Sequence, residues 1–374
     1  MQFHPNNRRA LLAGLFLLAW AVPCARAQDD FQGIKRVVAV GDVHGDYGQF
    51  VSVLQTAGLI DTKAKWIGGK AHLVQTGDLL DRAPEAREVM DLLMELEAQA
   101  AKAGGSVHVL LGNHEVMSLA GDLRYVPKEE YTSYRDPNSS RLRETYYRQL
   151  VKEMSRKNAL PKNLTEFRTT FILEHPLGWV ERLRAFQPEG KYGKWLRQQN
   201  AIIRINDAVF LHGGISRKYI SQTIRQINDE IRAEINQVPV AERGMATDEY
   251  GPLWYRGLAE GRAQPLEEDV AQMLRNYGVR HIVIGHTPQT AVLPRFGGKV
   301  IVIDVGLSRV YGGPQACLVI EQGKYYALHR GHKLDLPVDG GDVLPYLQSV
   351  GALDPRPAVS QRPAESKPET ESEK

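Results

Sequence analysis

The stretch Val37-Val38-Ala39-Val40-Gly41-Asp42-Val43-His44-Gly45 places a short apolar run directly before a glycine-rich turn that carries an aspartate and a histidine. The same arrangement recurs four more times along the chain, with polar residues and glycines following an apolar run. The later turns are Gly77-Asp78-Leu79-Leu80-Asp81-Arg82, Gly112-Asn113-His114-Glu115, His212-Gly213-Gly214 and Gly285-His286-Thr287. One short motif of this kind is weak evidence, but five in one chain indicate a shared site.

Apolar runs of strand length alternate with helical patterns around these turns, which predicts an α/β fold. Strands are expected at residues 37–40, 72–75, 107–111, 208–211, 282–284, 300–303 and 318–320. One amphipathic helix is expected over about residues 50–57, and a second begins near Pro84 and ends at Gly104. Each polar turn then follows the carboxyl end of a strand, where layered α/β proteins form binding sites.

The first 27 residues have the pattern of a secretory signal. Arg8-Arg9 precede an uncharged apolar run over residues 10–23, and Ala25-Arg26-Ala27 matches a cleavage site. The run is shorter than the roughly 20 residues that a membrane span needs. We therefore expect cleavage and export to a periplasm or the medium, with no membrane attachment afterwards. An uncleaved anchor is the less favoured alternative.

The leader also accounts for the basic balance of the chain. It holds three of the 47 lysines and arginines and none of the 44 acidic residues, so residues 28–374 have a formal charge of zero. This balance gives no reason to expect a nucleic-acid partner. One cysteine, Cys317, remains after cleavage, which excludes an intramolecular disulfide. The polar, proline-containing tail predicts disorder from about residue 356 to 374.

An insertion over residues 116–200 separates the third motif from the fourth. It contains 16 basic and 10 acidic side chains, and helices are expected within it at 144–156 and 177–186. We predict that it forms a helical cap beside the site, where its charge draws in anionic substrates. Its first half contains five tyrosines that could stack on a substrate ring: Tyr125, Tyr131, Tyr134, Tyr146 and Tyr147.

Aspartate, asparagine and histidine supply the oxygen and nitrogen donors that Mn, Fe and Zn accept, and no cysteine lies among the motifs. A carboxylate between two ions about 3.5–4 Å apart makes their shared water acidic and lets both ions hold a phosphoryl oxygen. The predicted ligands are Asp42 and His44 for one ion, Asn113, His212 and His286 for the other, and Asp78 for both. The histidines expected to be ordinary core residues are His72, His108, His175, His281, His329 and His332.

As a set, Gly-Asp-x-His-Gly, Gly-Asp-x-x-Asp-Arg, Gly-Asn-His-Glu and His-Gly-Gly resemble the signature of the calcineurin-like metallophosphoesterases, in their phosphoprotein phosphatase branch. The chain resembles in particular the bacterial Shewanella-like phosphatases. The resemblance covers about residues 36–330, apart from the insertion. It implies an α/β sandwich of two sheets flanked by helices, with a two-metal site at one edge. We expect this domain over residues 28–340 and a C-terminal segment over 341–374.

The resemblance also implies roles beyond metal binding. His114 would protonate the leaving oxygen, Asp81 would orient its ring, and Arg82 would bind the phosphate with its planar fork. Arg256 is the candidate for a second phosphate-binding arginine, and a surface arginine in a loop is the alternative. Glycine normally follows the arginine of the second motif, but Ala83 stands there in this chain. This departure bears on the placement of substrate and leaves the metal ligands unaffected.

These observations predict an exported phosphomonoesterase that uses two divalent or mixed-valence metal ions and hydrolyses by in-line attack of a bridging hydroxide. A phosphorylated protein or a small phosphomonoester is the expected substrate, and the cap favours phosphotyrosine because it deepens the approach to the metals. A nucleotide or dinucleoside-polyphosphate hydrolase is the alternative enzyme. An inactive binding module of the same fold is the alternative from another class, although a chain without activity would be free to lose His114, Asp81 and Arg82.

Overall fold

The computed structural model describes residues 28–241 and 243–354. The predicted signal at 1–27 and the predicted disordered tail from 356 lie outside the described residues. The described strands are β1 Asp30–Phe31, β2 Arg36–Val40, β3 His72–Gln75, β4 Ser106–Val109, β5 Ile202–Ile205, β6 Ala208–Leu211, β7 His281–Ile284, β8 Leu293–Arg295, β9 Val300–Val302, β10 Ala316–Glu321, β11 Lys324–His329 and β12 His332–Asp335.

α-Helices lie in four of the eleven connections between consecutive strands, and the helices between β4 and β5 form the regular secondary structure of the insertion. The described α-helices are α1 Tyr47–Thr56, α2 Ala86–Lys102, α3 Asn113–Ala120, α4 Ser139–Arg156, α5 Leu164–Glu174, α6 Trp179–Phe186, α7 Lys191–Leu196, α8 Ile224–Ile235, α9 Gly257–Glu260, α10 Ala263–Tyr277 and α11 Leu344–Leu353. Two short 3₁₀ helices, η1 Lys128–Tyr134 and η2 Phe296–Gly298, complete the set. No helix of the described ranges is long and apolar enough to cross a bilayer.

The strands form two six-stranded mixed sheets, so the predicted two-sheet sandwich flanked by helices is confirmed. One sheet has the order β1-β5-β6-β7-β9-β8 and the other the order β12-β11-β10-β2-β3-β4. Each sheet contains three adjacent parallel strands, which are β6, β7 and β9 in the first and β2, β3 and β4 in the second. These six strands carry the polar turns at their carboxyl ends, so the two triplets bring all the motifs to one edge.

Five of the six strands in the two triplets are almost entirely buried, as continuous apolar runs predict, whereas the edge strand β4 is only partly buried. Every residue of β3, β6 and β7 is buried, and their apolar side chains belong to one hydrophobic core that spans both sheets. The two sheets also touch at the site edge. A Cβ atom on Gly41 would lie 2.5 Å from the carbonyl oxygen of Ile303, so this crossing requires glycine.

The strand expected at 107–111 is shorter than predicted, and its continuation links the two sheets. It runs as β4 only to Val109. The Leu110 N–H still donates to the Gln75 carbonyl of β3 at 2.9 Å, but Leu110 also pairs in parallel with Asn200, and the Leu111 N–H donates to the Asn200 carbonyl at 3.0 Å. The end of this strand therefore joins the second sheet to the segment that enters the first one.

The insertion is helical, and it packs into the body of the protein. Helix α6 packs against α4, α7 and η1, and α7 and the end of α6 supply Phe186, Tyr192 and Leu196 to the common core. The tyrosines of its first half are mostly buried: Tyr131, Tyr134 and Tyr147 are 5%, 7% and 9% exposed, whereas Tyr125 and Tyr146 are each 38% exposed. Of the five tyrosines that could stack on a substrate ring, three therefore fill the interior of the insertion, and only Tyr125 and Tyr146 keep substantial exposure.

Helix α11 lies in the segment expected to follow the domain. Its Tyr346 is buried in the common core and its hydroxyl donates to the Val292 carbonyl at 2.7 Å. Of the histidines expected to be core residues, His72, His281 and His329 are buried. The expectation for His332 is wrong, because it lies exposed on the edge strand β12.

Candidate metal centre

The six predicted ligands meet at the carboxyl ends of the two strand triplets, and all six are buried. Asp78 lies at their centre and turns its carboxylate oxygens to opposite sides. Oδ1 lies 3.2 Å from Nε2 of His212, and Oδ2 lies 3.8 Å from Nε2 of His44. Nε2 of His44 also lies 3.9 Å from Oδ2 of Asp42. Two groups of donors thus share Asp78, one on each side.

The second group of donors is the more compact. Nε2 of His212 lies 2.9 Å from Oδ1 of Asn113 and 3.1 Å from Nδ1 of His286. Nδ1 of His212 faces the Thr76 carbonyl at 2.9 Å, and Nε2 of His286 faces the Trp254 carbonyl at 3.1 Å. In the neutral rings the hydrogens therefore lie on those outer nitrogens, directed at the carbonyls.

This tautomer leaves two lone pairs facing each other between His212 and His286. Lone pairs 3.1 Å apart repel unless a cation binds both nitrogens. The outer nitrogen of His44 is fixed in the same manner, with Nδ1 3.0 Å from the Leu80 carbonyl. Orientation of a histidine through its second nitrogen is the usual support of a metal ligand. The residues present thus fit a pair of ions such as Mn, Fe or Zn.

The protonation states agree with this fit. Burial lowers the pKa of His44 to about 3, and it holds the pKa of His286 well below its ordinary value, so both rings are neutral at pH 7, as predicted metal ligands need to be. Burial, with the neighbouring carboxylates of Asp304 and Asp78, raises the pKa of Asp42 well above its usual range. Such carboxylates crowded in one buried site favour a bound cation, which would relieve their mutual repulsion.

The backbone around the centre is held in unusual conformations. Five site residues other than glycine lie in the left-handed region, with φ between 47° and 70°: His44, Asp78, Asp81, Arg82 and His286. Conformations of this kind cluster at active sites, where the surrounding structure imposes them. Gly112 allows the second motif to approach the third, since a Cβ atom there would lie 2.2 Å from Oδ1 of Asp78.

Glu115 ties these turns together. Its carboxylate accepts hydrogen bonds from the N–H groups of Asp78, Leu79 and Gly112 at 2.8, 2.9 and 2.8 Å. Burial and the nearby Asp78 carboxylate raise the pKa of Glu115 to about 7. The last residue of the third motif thus positions the bridging aspartate, a role that the motifs alone did not indicate.

His114 and Asp81 form a close pair beside the metal ligands. Nδ1 of His114 lies 2.5 Å from Oδ2 of Asp81, and Nε2 lies 3.8 Å from Oδ2 of Asp78. Burial alone would lower the pKa of His114, but the Asp78 and Asp81 carboxylates outweigh it and raise the pKa. A protonated ring suits a proton donor. The distances also group His114 with His44 and Asp78 as possible metal ligands. A proton donor and a metal ligand differ in one respect, because only loss of a proton donor lowers activity more for a poor leaving group than for a good one.

Arg82 and Tyr125 lie beside this pair, and Tyr311 lies beside His44. The Arg82 guanidinium carbon lies 4.1 Å from the centre of the Tyr125 ring, and the Arg82 N–H donates to the Tyr125 carbonyl at 3.1 Å. The rings of Tyr125 and His114 are 5.3 Å apart, and so are those of Tyr311 and His44. Two aromatic side chains therefore flank the metal ligands and Arg82.

Arg256 lies next to the second donor group. Its Nη1 donates to the His286 carbonyl at 2.7 Å and contacts Oγ1 of Thr287 at 3.5 Å. The structure therefore brings all four predicted catalytic residues into the neighbourhood of the metal ligands. Asp304 is a further member to which the sequence motifs gave no role. Burial raises its pKa to about 6, and its position directly after a strand was the available signal.

Comparison with known proteins agrees with this geometry. The family model of the calcineurin-like phosphoesterases matches residues 35–290. The chain is 31% identical over 299 residues to the Arabidopsis thaliana Shewanella-like protein phosphatase 2, covering 75% of this chain and 74% of the relative. It is 26% identical to the Plasmodium berghei Shewanella-like protein phosphatase 1, covering 76% of this chain and 71% of the relative.

A solved structure of a cold-active protein-tyrosine phosphatase from a psychrophilic Shewanella superposes with a TM-score of 0.64 at 31% sequence identity, covering 83% of each chain. The fold and the centre define a metallophosphoesterase, a metal-dependent phosphoester hydrolase. The chain belongs to the calcineurin-like phosphoesterase family, and its relatives include the Shewanella-like protein phosphatases.

Proposed function

We propose that this protein is an exported protein phosphatase that uses two metal ions and prefers phosphotyrosine. The observation that carries the metal assignment is the placement of Asp78 between two donor groups, with Oδ1 3.2 Å from Nε2 of His212 and Oδ2 3.8 Å from Nε2 of His44. Asp42 completes the first group, and Asn113 and His286 complete the second. When bound, the ion pair supplies an acidic water for in-line attack and a clamp for the phosphoryl oxygens.

The remaining residues of the site bind the substrate and move its proton. Arg82 presents its planar fork to the phosphoryl group. Arg256 is the candidate for the second phosphate-binding arginine, and its hydrogen bond to the His286 carbonyl places it beside the second donor group. His114 carries a proton at Nε2 and gives it to the departing oxygen, while Asp81 accepts the hydrogen bond from Nδ1 and keeps the ring in place. Nothing in this division of roles requires His114 to bind metal.

The preference for phosphotyrosine rests on Tyr125 and Tyr311. Tyr125 is 38% exposed beside Arg82 and His114, and Tyr311 lies beside His44, so aromatic side chains are present next to the site for contact with a flat substrate ring. The insertion supplies Tyr125 and carries six more basic than acidic side chains, which supports its role as a cap that attracts anions. The similar Shewanella enzyme is described as a protein-tyrosine phosphatase.

Export rests on the leader sequence alone. Arg8-Arg9, the apolar run over 10–23 and the Ala25-Arg26-Ala27 site have the order of a secretory signal. Fusion of residues 1–30 to a reporter that is active only outside the cytoplasm tests it directly. A reporter that stays inactive, although it is expressed, contradicts export.

Substrate choice is tested with the purified chain from residue 28 onward, loaded with Mn²⁺. Turnover is compared on a phosphotyrosine peptide, the matching phosphoserine peptide and a dinucleoside polyphosphate. We expect the highest kcat/KM on the phosphotyrosine peptide. Preference for the phosphoserine peptide contradicts the tyrosine assignment. Preference for the dinucleoside polyphosphate favours the alternative hydrolase. That alternative is tested because the chain is 35% identical over 96 residues to a Cronobacter sakazakii bis(5'-nucleosyl)-tetraphosphatase.

A further inference from the structure

Arg182 is a fully buried arginine of the insertion that reaches the catalytic pair. It lies on α6, and its side chain is 0% exposed. Nη2 lies 3.9 Å from Oδ1 of Asp81, the carboxylate oxygen that points away from His114. The same nitrogen donates to the hydroxyl of Ser118 at 3.2 Å, one turn after His114 on α3. Arg182 thus contacts both the carboxylate that orients His114 and the helix that carries it.

Asp81 has its two oxygens in different surroundings. Oδ2 is bound to Nδ1 of His114 at 2.5 Å. Within residues 28–241 and 243–354, no group donates a hydrogen bond to Oδ1, and this atom is buried. The guanidinium of Arg182 is therefore the positive group that faces it. A buried carboxylate oxygen without such a charge nearby would be costly.

The packing of the insertion holds Arg182 in this place. Nε donates to Oε1 of Glu130 at 2.6 Å, and the guanidinium carbon lies 4.4 Å from the centre of the Phe186 ring. Gly178, just before α6, has a φ of 96°, and a Cβ atom there would lie 1.9 Å from the Tyr131 carbonyl oxygen. This close approach fixes the start of α6 against η1, which carries Glu130. The position of the guanidinium is thus set by the packing of the insertion.

We propose that Arg182 is a positioning residue for the proton donor His114, acting through Asp81. Its charge attracts Oδ1 and so keeps the carboxylate turned with Oδ2 toward Nδ1 of His114. Through this contact the insertion takes part in catalysis in addition to covering the site. The inference rests on the proposed function, because it concerns the group that protonates the leaving oxygen.

The alternative is that Arg182 and Glu130 only stabilise the insertion. The two roles differ in their dependence on the leaving group, because an alkoxide needs a proton more than a nitrophenolate does. Arg182→Met is expected to lower kcat on an alkyl phosphate by about tenfold, because losing the positioning residue removes only a fraction of the roughly 10²–10⁴-fold contribution of a general acid. The loss on p-nitrophenyl phosphate is expected to be smaller. KM and the metal content are expected to stay unchanged. In a His114→Asn background, Arg182→Met is expected to add no further selective loss.

Arg197→Met is the matched control. Arg197 is also a buried arginine of the insertion, but among the residues that the structure describes its side chain donates only to the backbone carbonyls of Ile235, Phe186 and Gly193. Its replacement is expected to lower the melting temperature without changing the ratio of the two activities. Arg182→Met leaves the buried carboxylate of Glu130 without its positive partner, which could prevent folding. The double variant Arg182→Met with Glu130→Gln removes that charge and is made in parallel. The kinetics are compared in whichever of the two variants folds. Arg182→Lys, which keeps the charge, is expected to keep the ratio of the alkyl phosphate activity to the p-nitrophenyl phosphate activity close to that of the wild type.

Wild-type turnover on both substrates is measured first. Absence of wild-type turnover would contradict the proposed function. If the wild type is active, the variants test the positioning role of Arg182 separately from that function. Equal losses on the two substrates in the Arg182 variants, or a selective loss that persists without His114, would overturn the positioning role and leave Arg182 as a structural residue.

Discussion

Nδ1 of His114 lies 2.5 Å from Oδ2 of Asp81, and both side chains are buried. Asp81 belongs to the second motif and His114 to the third, so the pair joins two motifs that lie 33 residues apart in the chain. A carboxylate held this close fixes the ring and favours its protonated form, which leaves Nε2 on the side of Asp78, where the proposed role of proton donor requires it. The contact therefore distinguishes His114 from His44, His212 and His286, whose outer nitrogens face backbone carbonyls.

The role of His114 predicts an effect that depends on the leaving group. His114→Asn should lower kcat on an alkyl phosphate by about 10²–10⁴-fold and that on p-nitrophenyl phosphate by much less, because a nitrophenolate leaves without a proton. Steady-state kinetics on both substrates, with the bound metal measured in each preparation, check this. Equal losses accompanied by loss of metal would instead identify His114 as a ligand.

The proposed bridging position of Asp78 predicts coupled loss of both ions. Asp78→Asn keeps the shape of the side chain but removes the charge that the two donor groups share. Metal analysis of the purified variant should find both sites depleted, and turnover should be abolished. A variant that retains two ions and normal turnover would show that another residue bridges them.

The position of Tyr125 predicts a contribution to substrate choice. Stacking of an aromatic substrate on this ring is worth about 0.5–1.5 kcal/mol, or about 2- to 12-fold in kcat/KM. Tyr125→Ala should therefore weaken the preference for a phosphotyrosine peptide over an alkyl phosphate by that factor. Tyr146→Ala is the matched control, because Tyr146 has the same 38% exposure but packs against Phe171 and Trp179 in the insertion. The same loss of preference in both variants would exclude a specific role for Tyr125.

Asp46 predicts a pH-dependent contribution to stability. It caps α1 and accepts hydrogen bonds from the Arg309 backbone and side chain at 2.8 and 2.9 Å. Burial alone would raise the pKa of Asp46, but the hydrogen bonds from Arg309 outweigh it and hold the pKa below its ordinary value. The stabilisation is therefore complete above the unfolded pKa of about 3.9 and is lost as the pH falls through the lower folded value.

Asp46→Asn keeps the helix cap and removes the charge, so it isolates the contribution of the carboxylate. Its melting temperature should lie below that of the wild type at pH 7, and the difference should shrink as the pH is lowered through about 4 toward about 3. A difference that is constant across this range would show that the carboxylate charge at Asp46 contributes nothing.

Much of the fold and the centre could be predicted because their signals are local. A strand, a glycine turn and a ligand follow one another within a few residues, as in Val40, Gly41 and Asp42, so the site edge was visible without tertiary information. The expectation for His332 failed because its burial depends on which strand forms the sheet edge, and the strand order is set by long-range pairing.

The supporting residues of the centre have no such local signal. Arg182 meets Asp81 from 101 positions away in the chain, and Tyr311 reaches His44 from a loop that Arg309 and Asp46 hold in place. The tyrosines of the insertion gave a composition signal, but composition does not tell which rings fill the interior. Only packing separates Tyr125 from the buried Tyr131 and Tyr134.

Metal titration of the chelated enzyme tests the two-ion centre most directly. The purified chain is stripped with a chelator, then Mn²⁺ is added in steps while bound metal and hydrolysis of p-nitrophenyl phosphate are followed together. We predict an inactive stripped protein and full turnover only when two ions are bound per chain. Full turnover without metal, or saturation of both binding and activity at one ion per chain, would contradict a centre in which Asp78 joins two ions.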